Sequence, residues 1–295
     1  MGVPSHLKKL EKDLRGDLMK KEGSLVLETN VKNTWCPGCG NFGILRAFKK
    51  AVKMLEEENI NPRKIVVVSG IGCHGKISDY LNLSSFHSIH GRVLPFLTGL
   101  KLANPELFAV GFSGDGDALN EGIAHLIHSA RRNIDVTLFV HNNGVFGLTT
   151  GQATATSPHG FKSKSTPAGN PEFPLNSAAL SLVSGATFVA RAFSGDIDHL
   201  SHIMKEAIKH RGFSFVEILQ PCVSFNDTWD YYRENIDRLD NYSRDEFNFE
   251  ESLKLCYQEN PILTGILYRE EKETLDSVLK SVNAQDIHEL IERIG

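Results

Sequence analysis

The sequence predicts an α/β fold, a mainly parallel sheet covered by helices on both faces. Three observations carry this. Short apolar runs, Lys64 to Ser69, Leu107 to Phe112, Val136 to His141, Thr187 to Phe193 and Phe213 to Leu219, alternate with segments whose apolar residues recur at helical spacing. The runs read as strands buried on both sides, the pattern of parallel sheets. Three of them end in distinctive turns, at Gly70, Gly114 and Asn142. Sheets of this kind bind ligands there, beyond the carboxyl ends of their strands.

Taken in order, residues 1–23 are a polar, lysine-rich arm with helical spacing at Leu7, Leu10 and Leu14. The α/β domain spans 24–226. Its first helix follows Thr34-Trp35-Cys36-Pro37-Gly38-Cys39-Gly40-Asn41, carries Leu45, Phe48, Val52 and Leu55 on one face, and ends by Asn61-Pro62. The strand from Lys64 breaks at Gly70-Ile71-Gly72-Cys73-His74-Gly75, and a helix is expected over Leu94 to Ala103. After the strand ending at Phe112, a helix is expected from Ala118 to Arg131, with Leu119, Ile123, Leu126, Ile127 and Ala130 in its apolar stripe. Residues 151–176 have no periodicity, and a loop of that length inside a domain is usually functional or disordered. Asp196 to His210 is again helical. Residues 227–295 read as a polar extension that wraps or caps, with short helical patterns near Leu275 and Ile287.

The 295 residues, 41% of them hydrophobic, are ample for a buried core. A net charge of −4 argues against a nucleic-acid partner, which calls for a basic surplus. No apolar run approaches the length of a membrane span, and the lysine-rich N-terminus lacks the apolar core of a signal peptide. The expectation is a cytoplasmic protein whose five cysteines are thiols or metal ligands, not disulfides.

The chemistry centres on Gly114-Asp115-Gly116-Asp117. A strand, a glycine turn and a helix start make an anion site, because free N–H groups and the helix dipole point outward. Two aspartates repel a bare phosphate, so a cation must stand between, and a hard divalent ion such as Mg²⁺ sharing diphosphate oxygens meets that need. The next strand delivers Asn142-Asn143-Gly144-Val145-Phe146-Gly147 to the same edge, and Asp115 and Asn143 lie 28 positions apart, about one β-α-β unit.

Cys36 and Cys39 form a C-x-x-C pair after Trp35, which on its own invites a thioredoxin-like reading. Two further cysteines, Cys73 and Cys222, follow strands at comparable glycine or proline turns. Four cysteines in loops can hold tetrahedral Zn²⁺ or ligate an iron–sulfur cluster, and residue types alone leave both open. Lys76, three residues past Cys73, is a candidate partner for a substrate carboxylate. No zinc-protease helix, hydrolase nucleophile elbow or P-loop is present in the sequence.

Gly114-Asp115-Gly116 followed one unit later by Asn142-Asn143 resembles the thiamine diphosphate enzymes, specifically their diphosphate-binding half. The longer text through Gly147-Leu148-Thr149, with Trp-Cys-Pro-Gly-Cys-Gly at 35–40, Gly-Ile-Gly-Cys at 70–73 and Pro-Cys-Val-Ser-Phe-Asn at 221–226, resembles the beta subunit of 2-oxoacid:ferredoxin oxidoreductases. The resemblance implies that Asp115, Asn143 and the Val145 carbonyl hold Mg²⁺. It implies that Ile71, Gly72, Cys73, His74, His90, Gly116, Asp117, Gly147 and Leu148 contact thiamine diphosphate. Cys36, Cys39, Cys73 and Cys222 would hold one [4Fe–4S] cluster. The implied reaction is coenzyme A-dependent oxidative decarboxylation of a 2-oxoacid, 2-oxoglutarate or pyruvate, with electrons passed to ferredoxin. The glutamate that activates the thiamine pyrimidine has no candidate motif here, so an alpha subunit is expected to complete the site. Two other readings compete. A non-redox thiamine-dependent decarboxylase or carboligase leaves four cysteines idle, and a zinc-binding non-catalytic subunit leaves the Asp115–Asn143 spacing to chance.

Overall fold

The computed structural model describes residues 25–241 and 248–280. The arm at 1–23 and the helical pattern near Ile287 lie outside the described residues. The expected first helix is α1, Asn41–Glu57, with Ile44, Leu45, Phe48, Val52 and Leu55 buried along one face. Asn61 then caps a single 3₁₀ turn, Pro62–Lys64, by accepting from the Arg63 N–H, and the chain enters β1, Ile65–Ser69, buried at every position.

A 3₁₀ stretch, His74–Tyr80, leads to β2, Ser84–His87, whose four residues are all exposed, and then to α2, Val93–Ala103. Next come β3, Phe108–Gly114, α3, Ile123–Arg132, and β4, Thr137–Asn142. The two-residue strands β5, Val145–Phe146, and β6, Gln152–Ala153, pair antiparallel. They are followed by α4, Ser177–Val183, β7, Phe188–Phe193, α5, Ile197–Lys209, and β8, Ser214–Leu219. The described chain closes with α6, Trp229–Asn235, β9, Ile236–Arg238, α7, Phe249–Cys256, β10, Ile262–Arg269, and α8, Leu275–Lys280.

The main sheet has eight strands in the order β2-β1-β3-β4-β8-β7-β10-β9. From β2 to β7 every pairing is parallel, and β10 runs antiparallel to β7 and parallel to β9. Alternate residues of each strand point to opposite faces. On β4, Phe139 joins one apolar cluster with Phe48 of α1 and Leu200 and Met204 of α5. Its neighbours Leu138 and Val140 join the other, with Leu97 of α2, Leu126 of α3 and Leu182 of α4. Helices therefore cover both faces, as expected. Phe48 meets Phe112 edge-on at 5.0 Å between ring centres, a geometry that adds about 1 kcal/mol beyond burial.

Register places the functional turns. Gly114 lies beside His141 across β3 and β4, so Asp115 leaves the sheet next to Asn142. Asn142 lies beside Leu219 across β4 and β8, so Asn143 and Gln220 leave side by side. Cys222 follows two residues later at the same edge.

Two elements differ from expectation. The helix read over Ala118 to Arg131 is split: a π-helical turn, Gly116–Glu121, precedes a break at Gly122, and α3 starts at Ile123. Asp117 is drawn down onto Ser113 and Gly91, which widens the first turn, and the Arg92 guanidinium donates to the Glu121 carbonyl at 2.8 Å where the helix is interrupted. The segment from 227, read as polar, supplies β9 and β10 to the main sheet. Gly265, at φ +144°, and a register shift between Ile266 and Tyr268 interrupt the two-residue period of β10, which hides the strand from a periodicity reading. The helical pattern near Leu275 is realised as α8.

Candidate functional site

The end of β3 delivers Asp115 into the interior, where it is 2% exposed. Its Oδ2 accepts from the hydroxyls of Thr154 at 2.5 Å and Thr156 at 2.7 Å. Among the described residues it has no ion-pair partner. Burial pushes its carboxyl above the usual carboxylate range, against the pull of these two hydroxyls and of the Asn143 N–H. A buried carboxylate without a counter-charge is costly, and a cation beside it removes that cost. Asn143 stands beside it: Oδ1 accepts from the Val145 N–H at 3.0 Å, and Nδ2 donates to Gln220 Oε1 at 3.1 Å. Gly144, at φ +68°, lets the chain fold back between them.

Asp117 does something different from Asp115. It is 1% exposed, and it accepts at Oδ1 from His90 Nδ1 and the Gly91 N–H and at Oδ2 from Ser113 Oγ, with His74 Nε2 3.6 Å away. Burial raises its carboxyl, but His74, Ser113 and the Gly91 N–H outweigh it and hold Asp117 below the usual range. Asp117 is thus an anion tying three turns together. Gly70 must be glycine for this packing, because a Cβ there would lie 1.8 Å from Asp117 Oδ2.

His141, on β4 between these groups, is fully buried, and burial together with nearby His74 holds its imidazole well below the ordinary value, so it is neutral. Its Nδ1 donates to Asn41 Oδ1 at 2.7 Å, tying the first residue of α1 to the sheet. Among the described residues its Nε2 has no hydrogen-bond partner, and His141 borders the cavity at the strand ends.

That cavity, about 120 Å³, is lined by Ile71, Gly72, Cys73, His74 and His90 from the turns after β1 and β2. Asp115, Gly116, Asp117, Asn143, Val145, Gly147 and Leu148 line it from the turns after β3 and β4. Every residue the sequence named for thiamine diphosphate or Mg²⁺ therefore faces one space. The volume is well below the roughly 300 Å³ at which small-molecule sites begin.

A second cavity, about 300 Å³, adjoins the first and is lined by Cys36, Cys39, Cys73 and Cys222, with Lys76 at its wall. The two share Cys73, Asn143, Gly147, Leu148 and Gln220. All four thiols are free, and a Cβ placed on Gly147 would stand 3.6 Å from Cys73 Sγ and 3.7 Å from Cys222 Sγ. Trp35 Nε1 donates to the Cys73 carbonyl at 2.6 Å, which stitches the C-x-x-C loop to the turn after β1. Asn226 Nδ2 donates to the Asn143 carbonyl at 2.8 Å and anchors the Cys222 turn to the turn after β4.

Burial pushes the Cys39 thiol up to about 12; the Asn41 N–H opposes this, and the thiolates of Cys222, Cys73 and Cys36 add to the rise. Cys73 is raised too, first by burial and then by Cys222. Burial thus holds Cys39 and Cys73 protonated unless a positive centre stands beside them. Among the described residues no three His, Cys, Asp or Glu side chains are gathered tightly enough to chelate a single ion. The four thiols line one cavity together. Lys76 belongs to this cavity and not to the first, and its Nζ donates to Thr34 Oγ1 at 2.9 Å. The fifth cysteine, Cys256, packs in the apolar cluster with Leu182 and Leu263.

Several site residues escaped the sequence reading. Thr154 and Thr156 come from the aperiodic 151–176 loop, which thereby becomes part of the Asp115 site. The length and lack of periodicity of that loop were the only sequence signal, and neither singles out Thr154 or Thr156. The Thr156 hydroxyl also lies 2.8 Å from Asn142 Oδ1, so Asn142 and Asp115 compete for its single proton, and Asn142 Nδ2 donates to Glu217 Oε1 at 2.8 Å. Glu217 pairs with Arg191 at 2.7 Å, both nearly buried. Gln220 gave no signal beyond preceding Pro221-Cys222.

A mainly parallel sheet whose strand-end turns gather Asp115, Asn143 and their neighbouring glycines around one cavity fits a thiamine diphosphate-binding domain. Residues 70–218 match the family described as thiamine pyrophosphate enzyme, C-terminal TPP binding domain, and residues 222–284 match the C-terminal family of the pyruvate ferredoxin oxidoreductase beta subunit. The chain is 49% identical over 212 residues to 2-oxoacid:ferredoxin oxidoreductase subunit beta of Saccharolobus solfataricus, covering 70% of this chain and 68% of that one. It is 44% identical over 234 residues to 2-oxoglutarate synthase subunit KorB of Archaeoglobus fulgidus, covering 77% and 86%. Its fold superposes on 2-oxoglutarate:ferredoxin oxidoreductase from Magnetococcus marinus, solved with 2-oxoglutarate, coenzyme A and succinyl-CoA bound, with a TM-score of 0.83 at 35% identity, over 88% of this chain and 89% of that one. The chain belongs to the beta subunits of the 2-oxoacid:ferredoxin oxidoreductases, a family of oxidoreductases in which an alpha subunit is the partner.

Proposed function

We propose that this beta subunit, with its alpha partner, carries out coenzyme A-dependent oxidative decarboxylation of a 2-oxoacid to acyl-CoA and CO₂ in the cytoplasm, reducing ferredoxin. The observation that carries the reading is the shared wall of the two cavities: Cys73, Gly147 and Gln220 belong at once to the half-site for the cofactor and to the ring of thiols. A non-redox decarboxylase has no use for that adjacency. No helix among the described residues is long and apolar enough to cross a membrane.

Asp115 Oδ1, Asn143 Oδ1 and the Val145 carbonyl are the oxygens that would hold Mg²⁺, and a divalent ion there supplies the counter-charge Asp115 lacks. Gly116, Gly147 and Leu148 border the space beside it and would hold a diphosphate there. Cys36, Cys39, Cys73 and Cys222 would ligate a [4Fe–4S] cluster. When bound, thiamine diphosphate would supply the electron sink for loss of CO₂, and a cluster held by the four thiols would supply a one-electron acceptor beside it. This chain's own part is to neutralise, orient and hold the two groups adjacent. The substrate favoured is 2-oxoglutarate over pyruvate. Lys76 at the cavity wall offers a cation for a second carboxylate, and 2-oxoglutarate is the substrate in the names of the Archaeoglobus and Magnetococcus proteins.

The test is iron, acid-labile sulfide, zinc and thiamine analysis of the anaerobically purified complex, followed by viologen reduction with each 2-oxoacid and coenzyme A. About four irons and four sulfides per chain, and turnover on 2-oxoglutarate, are expected. One zinc without sulfide, or decarboxylation with no acceptor reduced, overturns the reading.

A further inference from the structure

Gln220 occupies the wall between the two cavities and is 1% exposed. Its Oε1 accepts from Asn143 Nδ2 at 3.1 Å. Its Nε2 donates to the Pro221 carbonyl at 2.7 Å and to Cys39 Sγ at 3.5 Å. The orientation of the amide is fixed, since a carbonyl only accepts and must face the NH₂ end. One side chain thus links an amide expected to hold the cation to a thiol expected to hold the cluster.

We infer that Gln220 is a positioning residue that raises the reduction potential of the cluster and makes that potential respond to cation and cofactor binding; this rests on the proposed function above. An N–H donated to a ligating sulfur stabilises the more negative, reduced cluster more than the oxidised one, which favours uptake of an electron. The second half follows from the chain of amides. A cation on Asn143 Oδ1 withdraws charge from that amide and strengthens its N–H toward Gln220 Oε1. The same polarisation passes through the Gln220 amide and strengthens its N–H toward Cys39. The cluster therefore becomes a better acceptor when the cofactor that must reduce it is in place. Ser224 Oγ, which donates to Cys36 Sγ at 3.3 Å, is exposed and reaches no residue of the cation site, so it supplies a local comparison.

The experiment is an EPR-monitored titration with dithionite of the anaerobic alpha–beta complex, with and without Mg²⁺ and thiamine diphosphate, with iron and sulfide counted in every sample. Gln220→Glu keeps an acceptor for Asn143 and removes the donor to Cys39, while Gln220→Leu removes both. In the unsubstituted protein, addition of Mg²⁺ and thiamine diphosphate is expected to raise the midpoint. Both variants are expected to keep their iron, to lose about tenfold in the reduction equilibrium, which is 59 mV for one electron, and to lose the response to the cofactor. Ser224→Ala is expected to lower the midpoint while keeping the response. Variants with full iron and an unchanged midpoint overturn the inference while leaving the proposed function standing. So does loss of the cluster from both, which makes Gln220 only a scaffold. Zinc without sulfide in the unsubstituted complex removes the proposed function itself.

Discussion

Asp115→Asn separates the cost of the buried carboxylate from its use. The side chain is almost fully buried, has two hydroxyl donors and no ion-pair partner among the described residues. Its folded carboxyl lies above the ordinary value, chiefly through burial. The sign follows from linkage. Between the unfolded value of about 3.9 and the raised folded value, the native state binds more protons than the unfolded one, so the cofactor-free protein loses stability as pH rises through that window. Asparagine has no such loss. With Mg²⁺ and thiamine diphosphate removed, Asp115→Asn should gain about 1–2 kcal/mol at neutral pH, a rise of roughly 2–8 °C in melting temperature. The gain should shrink toward pH 4. With both added, the order reverses, because a charged cation ligand is gone and binding at a given concentration falls on the order of a hundredfold. The assay is thermal unfolding of the complex after chelation, with and without the pair, across pH 4–8. A variant that melts lower than the unsubstituted protein in both states, or that is stabilised by Mg²⁺ to the same extent, refutes the reasoning.

Cys222→Ser should lower iron and sulfide severalfold while thiamine diphosphate is retained, because the serine leaves the Asp115 and Asn143 contacts untouched; full cluster occupancy would remove Cys222 from the ligand set. Arg191→Met leaves Glu217 buried without its partner, and the cost should reach about 3–5 kcal/mol in urea unfolding at neutral pH. Burial raises the Glu217 carboxyl, but Arg191, Ser177 and Asn142 hold it below the ordinary value, so the stability it contributes is lost as pH falls below about 4; a flat acid limb would contradict this. Lys76→Ala should raise KM for 2-oxoglutarate roughly ten- to a hundredfold, as for loss of a charged hydrogen bond, and leave pyruvate nearly unaffected. Equal losses on both substrates would show that Lys76 does not read the second carboxylate.

The sequence revealed those parts of the site that are written in the turns themselves. Asp115 and Asn143 sit at the ends of apolar runs, and a glycine beside each marks a backbone that must turn sharply, so the residue types and their separation already imply one edge of one sheet. The four cysteines stand out for the same reason. Thr154 and Thr156 were illegible, because a hydroxyl in an aperiodic loop looks the same whether it faces water or a buried carboxylate, and only the folded chain brings it 39 to 41 positions back to Asp115. Gln220 was hidden because two of its partners come from residues 143 and 39, a relation no local pattern encodes. The π-helical turn reads as α-helix in the sequence because Leu119, Ile123 and Leu126 keep helical spacing across a break that Gly122 and Arg92 make in three dimensions. Strand β10 is masked by its own bulge.

The small volume of the first cavity has a consequence for assembly. If one chain encloses only about 120 Å³ of a site that must take up a diphosphate cofactor, the remaining contacts come from another surface, and the cofactor is held between the two. Binding equilibria that share a complex are reciprocal: whatever factor the partner adds to the cofactor's affinity, the cofactor adds to the partner's. The cofactor then acts as an adhesive as well as a reagent. Dilution of the complex should release it, and withdrawal of Mg²⁺ should loosen the assembly, so that the abundance of the two proteins becomes as much a control on how much enzyme is loaded as the supply of the vitamin.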